Sequence, residues 1–246
     1  MKSLLHAFAM CQSMFCAIPF PCHIWDNDAR GKMLVFLPVI GLEIGFLWAL
    51  AGFLGRHLSI HPMVIALILT VLPYLLSGFI HLDGFMDVTD AVGSCRDLEK
   101  RRAILKDSHV GAFAVIGVVL LMMASFALFS AVKPETSLWP LIFAPCISRT
   151  AAGIAVLTLP KMSTSQYHDQ VVNRSQLIFM SLVLVLALAA DFVIFGLPGL
   201  SGLACAAVCG LAVFKGYRSL QGMNGDISGY AITLGELAAA AVLALC

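Results

Sequence analysis

Long apolar runs separated by short polar loops set the hydrophobic pattern of the chain. A helix that crosses a bilayer needs roughly 20 mostly apolar residues, and each run except the sixth is near that length. The pattern predicts an all-α fold, a polytopic membrane helix bundle of about seven transmembrane helices that forms a single integral-membrane domain over residues 1–246. The predicted spans are residues 33–55, 62–82, 111–132, 138–159, 176–195, 200–214 and a seventh that ends the chain.

The first 22 residues are apolar but are interrupted by polar side chains. His6 and Gln12 break the apolar run, and Pro19 and Pro21 end any helix that it forms. No small-x-small cleavage site follows, which argues against a secretory signal peptide. We expect this segment to lie at the membrane interface or to re-enter the membrane.

The composition agrees with a membrane protein and excludes other classes. Hydrophobic residues make up 60% of the chain and charged residues 12%, whereas soluble domains carry about 25% charged residues. The net charge is +1 and no basic run is interleaved with aromatic residues, so no nucleic-acid partner is expected. The eight cysteines form no C-x-x-C pair, and we expect neither a disulfide framework nor a zinc site.

Basic residues are distributed very unevenly between the alternating loops. One side of a seven-span topology holds only Arg56 and Lys133, and Arg149 lies within a span. Because cytoplasmic loops are rich in Lys and Arg, the other side is predicted to be cytoplasmic and to include the N-terminus. The basic residues on that side are Lys2, Arg30, Lys32, Arg96, Lys100, Arg101, Arg102, Lys106, Lys161, Arg174, Lys215 and Arg218.

The stretch from Gly78 to Gly111 carries most of the candidate chemistry. Asp83, Asp87 and Asp90 are spaced i, i+4, i+7, which places them on one helix face over about 10 Å of its axis. Three such carboxylates repel one another unless a cation lies between them, and hard oxygen ligands suit Mg²⁺, Mn²⁺ or Ca²⁺. A solvated helix face outside the membrane is the alternative. We favour a metal site, because acidic residues at the end of an apolar span are usually functional.

Polar residues near this stretch are candidates for binding an anionic substrate. Arg96, Lys106 and Ser108 follow the three aspartates in the chain, and a guanidinium can bind phosphate through two hydrogen bonds. The alternative for these residues is an ordinary charged membrane interface. Arg149, inside the fourth span, is either a phosphate ligand or half of a structural salt bridge, since a buried Arg needs a partner.

A second polar cluster, MNGDISG (residues 223–229), precedes the last span. Asn224 and Asp226 lie among glycines, which let a backbone approach a ligand closely. Asp226 is a candidate metal or hydroxyl ligand and Asn224 a candidate substrate ligand, although an ordinary Asn-Gly turn also explains the segment. Glu236 follows inside the span.

Five segments, in order along the chain, resemble the cobalamin synthase family (adenosylcobinamide-GDP ribazoletransferase). One segment, GFIHLDGFMDVTDAVGS, resembles the family's signature G-G-F/L-H-L-D-G-L-A-D-T-x-D-G. A second, KDSHVGAF, resembles its motif R/K-D-S-R-x-G-T-x-G. A third, GMNGDISGYAITLGEL, resembles its C-terminal motif G-G-x-T-G-D-T-L-G-A. AIPFP with LPVIGLEIG resembles the N-terminal R-x-P-x-P and P-x-x-G-x-x-x-G, and APCISR the fourth-span P-x-x-S-R. The chain departs from these family motifs at five positions. Ala17 and His109 stand where the family has Arg, Ala112 and Ile227 where it has Thr, and Ala114 where it has Gly.

The resemblance implies a membrane transferase that acts late in cobalamin biosynthesis. The family joins adenosylcobinamide-GDP to α-ribazole or its 5′-phosphate, gives adenosylcobalamin or its phosphate, and releases GMP. It implies a Mg²⁺ cofactor, a bacterial inner-membrane location with a cytoplasmic active site, and homo-oligomers or complexes with other corrinoid-pathway enzymes. The implied catalytic residues are Asp83, Asp87, Asp107, Asp226 and His81, with Asp107 or Asp226 as the proton acceptor and His81 either in that role or orienting Asp83.

Two other functions compete with this reading. A CDP-alcohol phosphotransferase also sets aspartates at a membrane face, but its D-G-x-x-A-R pattern is absent, because Phe85-Met86-Asp87 follows Gly84. An ion-coupled transporter would relay ions through Glu43, Asp191 and Glu236 and would be expected to show matching halves with broken helices. No internal repeat is visible.

Overall fold

The computed structural model describes residues 2–22, 24–163, 165 and 173–246, and these residues are almost entirely helical. Three short 3₁₀ turns, at Met33–Phe36, Trp139–Ile142 and Leu197–Gly199, lead into α-helices. The α-helices of the described residues are α1 (Lys2–Phe15), α2 (Asn27–Arg30), α3 (Leu37–His57), α4 (Pro62–Leu76), α5 (Ile80–Gly93), α6 (Leu98–Ile104), α7 (Ala112–Ala131), α8 (Phe143–Thr158), α9 (Arg174–Phe195), α10 (Leu200–Leu220) and α11 (Gly225–Leu245).

The predicted all-α membrane bundle is confirmed. Within the described ranges, six helical segments are long and apolar enough to cross a membrane, and the number is seven if the bent pair α4–α5 counts as one span. Helix α10 corrects the predicted sixth span, because it continues through Lys215 and Arg218 and is 21 residues long rather than short. Long basic side chains at a helix end reach toward water while their stems cover apolar surface, so the helix continues beyond the apolar run.

The predicted second span, residues 62–82, is not one helix. Helix α4 ends at Leu76, and α5 starts at Ile80 with its axis bent by 93° from that of α4. Gly78 and Phe79 both have positive φ, 61° and 63°. This conformation is easy for Gly and strained for Phe, so tertiary contacts must hold it. The acidic residues therefore lie on a separate helix that crosses the bundle.

Helix α1 is too short to cross a bilayer as a single straight helix, and its position at the membrane stays a prediction. At 14 residues it is about 21 Å long, which is shorter than the ~30 Å hydrocarbon core of a bilayer. Its end is fixed to the α4–α5 break, because the Ala17 amide donates to the Leu76 carbonyl at 2.7 Å. The His6 ring and the Asp26 carboxylate, 2.7 Å apart, join its start to the cap of α2.

Loop contacts define the two ends of the bundle. At one end, Arg56 donates to the carbonyls of Lys133, Pro134 and Thr136, and Lys133 donates to the carbonyl of Cys246. These contacts tie the loops after α3 and α7 to the end of the chain.

The opposite end gathers the loops that sequence analysis assigned to the basic side. Arg102 on α6 donates to the carbonyls of Leu220 and Gln221, and the Met162 amide donates to the Met223 carbonyl, while the Met223 amide donates to the Pro160 carbonyl. The acidic helix α5, the loop after α8 and the start of α11 thus share one end of the bundle.

Candidate functional site

Helix α5 presents its three aspartates along one face. Asp83 is exposed, and Asp87 and Asp90 are partly buried. Asp87 lies within electrostatic range of Asp83, Asp90 and also Asp226, all of the same sign. In the described part of the chain, no Lys, Arg or His forms an ion pair with any of these four carboxylates. The site therefore carries concentrated negative charge that a cation would neutralise.

Two glycines bring Asp226 to this face. Helix α5 packs closely against α11, and a Cβ added at Gly84 would lie 2.8 Å from the backbone oxygen of Asp226. From the other side, a Cβ at Gly229 would lie 2.8 Å from the His81 carbonyl oxygen. Since backbone cannot yield as a flexible side chain can, the two helices meet this closely only because both positions lack a side chain.

Gly84→Ala is expected to push α5 away from α11. Overpacking of a tight contact typically costs about 1–3 kcal/mol, and we expect lower thermal stability in detergent together with a loss of activity. Gly210→Ala on α10 is the matched control, because a Cβ there meets nothing within 4 Å. Unchanged stability and activity for Gly84→Ala would show that the close helix crossing is unnecessary.

Asn224 holds Asp226 rather than pointing freely toward a ligand. Its side-chain oxygen accepts a hydrogen bond from the Ile227 amide at 3.0 Å and caps α11, while its amide nitrogen donates to Oδ2 of Asp226. Asp226 lies in the first turn of α11, where the helix dipole favours a carboxylate. Both polar ends of the Asn224 side chain are thus used to position Asp226.

The loop from α6 to α7 returns to the site at Gly111. The Asp90 carboxylate packs against Gly111, where any Cβ would overlap it. Arg96, Lys106 and Ser108, the predicted substrate ligands, are all exposed in the segments that flank α6. They lie at the same end of the bundle as the aspartates, and their roles stay predictions.

Asp107 is paired with His109, the residue that departs from the family motif. Oδ1 of Asp107 accepts hydrogen bonds from the His109 backbone amide at 3.0 Å and from its ring Nδ1 at 2.6 Å. These bonds lower the pKa of Asp107, the backbone amide contributing most, and the ring bond raises the pKa of His109. A carboxylate with a lowered pKa is a weaker proton acceptor, and the role of Asp107 stays a prediction.

His81 faces inward from the first turn of α5. Its ring stacks on Phe15 of α1, with centroids 6.1 Å apart and planes at 12°. No hydrogen bond joins it to Asp83, and its buried Nε2 has no partner within the described structure. Phe15 is a site residue that sequence reasoning missed, because nothing in an apolar N-terminal run marks one aromatic ring as a neighbour of His81.

Arg149 forms a buried salt bridge, one of the two alternatives left open by the sequence. Its Nη1 donates to Oε1 of Glu236 at 2.6 Å, and the Ser148 hydroxyl donates to the same oxygen at 3.0 Å. The guanidinium is 1% exposed. A phosphate contact through Nη1 would require this ion pair to break.

Two of the three carboxylates of the alternative ion relay, Asp191 and Glu236, have structural partners instead. Oδ2 of Asp191 accepts from the Gly202 amide at 3.0 Å and lies near the Ser201 hydroxyl, so it caps the start of α10. Glu236 is occupied by Arg149. A transporter reading is therefore not favoured.

Two neighbouring cavities open on Asp83. The first, of about 100 Å³, lies between α1, α5, α8 and α11, and its lining includes Asp83, Asp226 and Ser228. The second, of about 520 Å³ and more open, is lined by the end of α1 and by the α4–α5 break. Asp83 and Ile80 line both. The acidic face is thus accessible from two directions.

The described residues do not bring three His, Cys, Asp or Glu side chains to distances at which they share one metal ion. This does not exclude the predicted Mg²⁺ site, because Mg²⁺ usually takes one or two protein carboxylates and completes its shell with phosphate and water. The carboxylates of Asp83 and Asp87, one helical turn apart, are of the right chemical type.

Comparison with known proteins agrees with the motifs. The family model for cobalamin-5-phosphate synthase matches residues 7–244. An adenosylcobinamide-GDP ribazoletransferase of Clostridium perfringens is 38% identical over 241 residues, 96% of each chain, and one of Clostridium botulinum is 34% identical over 242 residues, again 96% of each. No solved structure is significantly similar. Because the similarity extends over nearly its whole length, the chain belongs to the cobalamin-5-phosphate synthase family.

Proposed function

We propose that the protein joins adenosylcobinamide-GDP to α-ribazole, or to α-ribazole 5′-phosphate, and releases GMP. A ribose hydroxyl oxygen attacks the phosphorus that carries cobinamide, the bond from that phosphorus to the bridging oxygen breaks, and the bridging oxygen leaves with GMP. The hydroxyl proton passes to a carboxylate. The products are adenosylcobalamin, or its 5′-phosphate, and GMP.

The convergence of four unpaired carboxylates at the crossing of α5 and α11 carries this proposal. A pyrophosphate is itself anionic, so it can approach Asp83, Asp87, Asp90 and Asp226 only if cations compensate the charge. We infer that Mg²⁺ is bound by Asp83 and Asp87, and that Asp90, the third predicted ligand, contributes its charge, since no three of the described side chains share one ion. When bound, Mg²⁺ would offset the negative charge of the diphosphate and stabilise the charge that develops on the leaving group.

The chain's own residues supply position and proton transfer. Such phosphoryl transfers depend on alignment and charge stabilisation more than on covalent catalysis. Asp226 is the proposed proton acceptor, since Asn224 fixes its carboxylate at the rim of the first cavity. Arg96 and Lys106, exposed at the same end of the bundle, would bind phosphate oxygens from the solvent side.

The proposed location of the site is the cytoplasmic face of a bacterial inner membrane. The support is the distribution of basic residues, which are abundant at the end that holds the site and scarce at the opposite end. Water-soluble, phosphate-bearing substrates would then reach the site from the compartment in which nucleotides are available.

Metal removal tests the proposal directly. Purified protein in detergent is mixed with adenosylcobinamide-GDP and α-ribazole 5′-phosphate, and GMP release is followed by chromatography. We expect turnover with Mg²⁺, a loss of at least about 100-fold with EDTA, and recovery when Mg²⁺ is added in excess. EDTA-resistant turnover would reject the metal site, and no GMP from folded protein would reject the reaction.

A further inference from the structure

Of the two cavities at the acidic face, the second has the size of a ligand site. The first, at about 100 Å³, has room for a few water molecules but not for a ring system. The second, at about 520 Å³, is within the ~300–1,000 Å³ typical of small-ligand sites. Asp83 lines it beside the end of α1 and the α4–α5 break, so a ligand held there has one end at the acidic face.

The second cavity continues along the outer face of α1. A third cavity, of about 390 Å³, shares Ser13 and Met14 with the second and extends to Trp25. Together the two form one open groove, the α1 groove, which begins at Asp83 and ends at Trp25. This groove is longer than either cavity alone and suits a ligand that is too broad to be enclosed.

Hydrogen bonds hold both ends of the α1 groove in place. At the acidic end, the Ala17 amide joins the end of α1 to the end of α4. At the other end, the Asp26 amide donates to Sδ of Met10 at 3.4 Å, and the indole N–H of Trp25 donates to Oδ1 of Asn27 at 3.0 Å. The Trp25 side chain is therefore fixed although it is 59% exposed. A ligand that packs on a fixed ring loses little affinity to ordering the protein.

The lining of the α1 groove is mostly apolar. Its apolar side chains come from α1, from the loop before α2 and from the α4–α5 break, and include Met10, Met14, Ile24, Phe79 and Ile80. Methionine side chains adapt to the shape of an irregular ligand. Ser13 offers a hydroxyl at the open side, whereas the Ser77 hydroxyl already donates to the Tyr74 carbonyl. The groove therefore suits a bulky, largely apolar group with few demands for hydrogen bonds from the protein.

The size and polarity of the substrates decide which group fits. The cobinamide of the donor is a broad macrocycle bearing methyl groups and amides, and a short arm joins it to the phosphorus that is attacked. The guanosine of the donor would place several hydrogen-bonding groups against apolar side chains, which is unfavourable. The base of α-ribazole is apolar but compact, so it would leave most of the apolar groove in contact with water.

We propose that the α1 groove binds the cobinamide part of adenosylcobinamide-GDP, with the macrocycle against α1 and Trp25 and its phosphate at Asp83. The inference rests on the proposed function and adds where the corrinoid lies. The amides that point away from α1 stay in water, as the open side of the groove permits. The short arm of the corrinoid then needs to reach only from the groove to its acidic end.

Ser13→Trp tests this assignment, because Ser13 is exposed and lies where the second and third cavities join. The indole occupies the groove without adding bulk to the interior of the bundle. We expect the Kd for adenosylcobinamide, measured by equilibrium dialysis with the purified protein in detergent, to rise by at least about 10-fold. The KM for adenosylcobinamide-GDP should rise with it, while the KM for α-ribazole stays unchanged. Ser13→Ala adds no bulk and should retain corrinoid binding.

Substitutions at Trp25 test the far end of the groove. Trp25→Ala removes the fixed ring, and we expect the Kd for adenosylcobinamide to rise by about 10-fold, with most of the affinity restored in Trp25→Phe. A ring that served only to anchor α1 in lipid would leave this Kd unchanged when it is removed. Because Trp25 lies on the surface, its variants keep the assignment testable if Ser13→Trp does not fold.

Ser130→Trp is the matched control, because Ser130 is exposed near the end of α7, at the opposite end of the bundle. It should leave the Kd and both KM values as in the unmodified protein. The assignment is overturned if folded Ser13→Trp binds adenosylcobinamide normally, which would make the groove a lipid-facing surface, or if it raises the KM for α-ribazole and not for the corrinoid. If the unmodified protein binds adenosylcobinamide but releases no GMP, the proposed function fails separately, and dialysis still decides where the corrinoid binds.

Discussion

Asp83→Asn is expected to lower the rate of GMP release by at least about 100-fold, equivalent to about 2.7 kcal/mol or more of transition-state stabilisation. Asp83 is the exposed member of the acidic face and lines both cavities, so it contacts whichever substrates meet there. Asn has nearly the same shape as Asp but lacks the charge needed to bind Mg²⁺ tightly. We expect kcat to fall more than the KM for α-ribazole rises, because the lost interaction acts mainly in the transition state.

Asp28→Asn controls for the loss of one carboxylate at an exposed position outside the acidic face. This variant should release GMP at the normal rate. If Asp83→Asn kept more than a tenth of the activity at saturating Mg²⁺, the essential carboxylate would be another member of the group, and Asp87→Asn and Asp226→Asn would be compared next.

Glu236→Leu is expected to destabilise the protein by about 3–5 kcal/mol, because it leaves the Arg149 guanidinium charged and unpaired inside the bundle. The pair is buried on both sides, at 1% and 6% side-chain exposure, so water cannot replace the missing partner. The measurement is the unfolding temperature of the purified protein in detergent. We expect it to drop markedly, with little folded protein recovered.

The double variant Arg149→Met with Glu236→Leu separates the cost of an orphaned charge from the value of the salt bridge. Replacing a buried ion pair by apolar residues of similar size is often neutral or stabilising. The double variant should therefore be more stable than Glu236→Leu alone. If it were equally unstable, the pair would contribute through its network with Ser148 rather than through charge balance.

Helical periodicity and the predicted membrane topology were sufficient to predict the acidic face of α5 and the presence of Asp226 near it. The spacing of Asp83, Asp87 and Asp90 predicts a shared helix face, and the alternation of spans places Asp226 at the same end of the bundle. Both are simple consequences of helix geometry and of the number of crossings. The structure agrees, and Asp87 lies within electrostatic range of the other three.

Features that depend on tertiary packing were not visible in the sequence. The apolar run through residues 62–82 carries only Ser77-Gly78 as a local sign of the break, and Phe79 is not a residue that favours positive φ. Glu236 lies 87 residues beyond Arg149, and no local spacing connects them. The contact between Phe15 and His81 likewise requires knowledge of how α1 folds back on α5.

The bend between α4 and α5 has a consequence for how deeply the aspartates sit. On a helix that continued straight through the membrane, Asp90 would lie about 10 Å farther along the bilayer normal than Asp83, and the three carboxylates would experience different degrees of hydration. Because α5 is turned by 93° from α4, that distance runs parallel to the surface of a bilayer that α4 crosses along its normal. In that orientation all three carboxylates lie at one depth, and a diphosphate lying flat along the water–lipid boundary can reach them together.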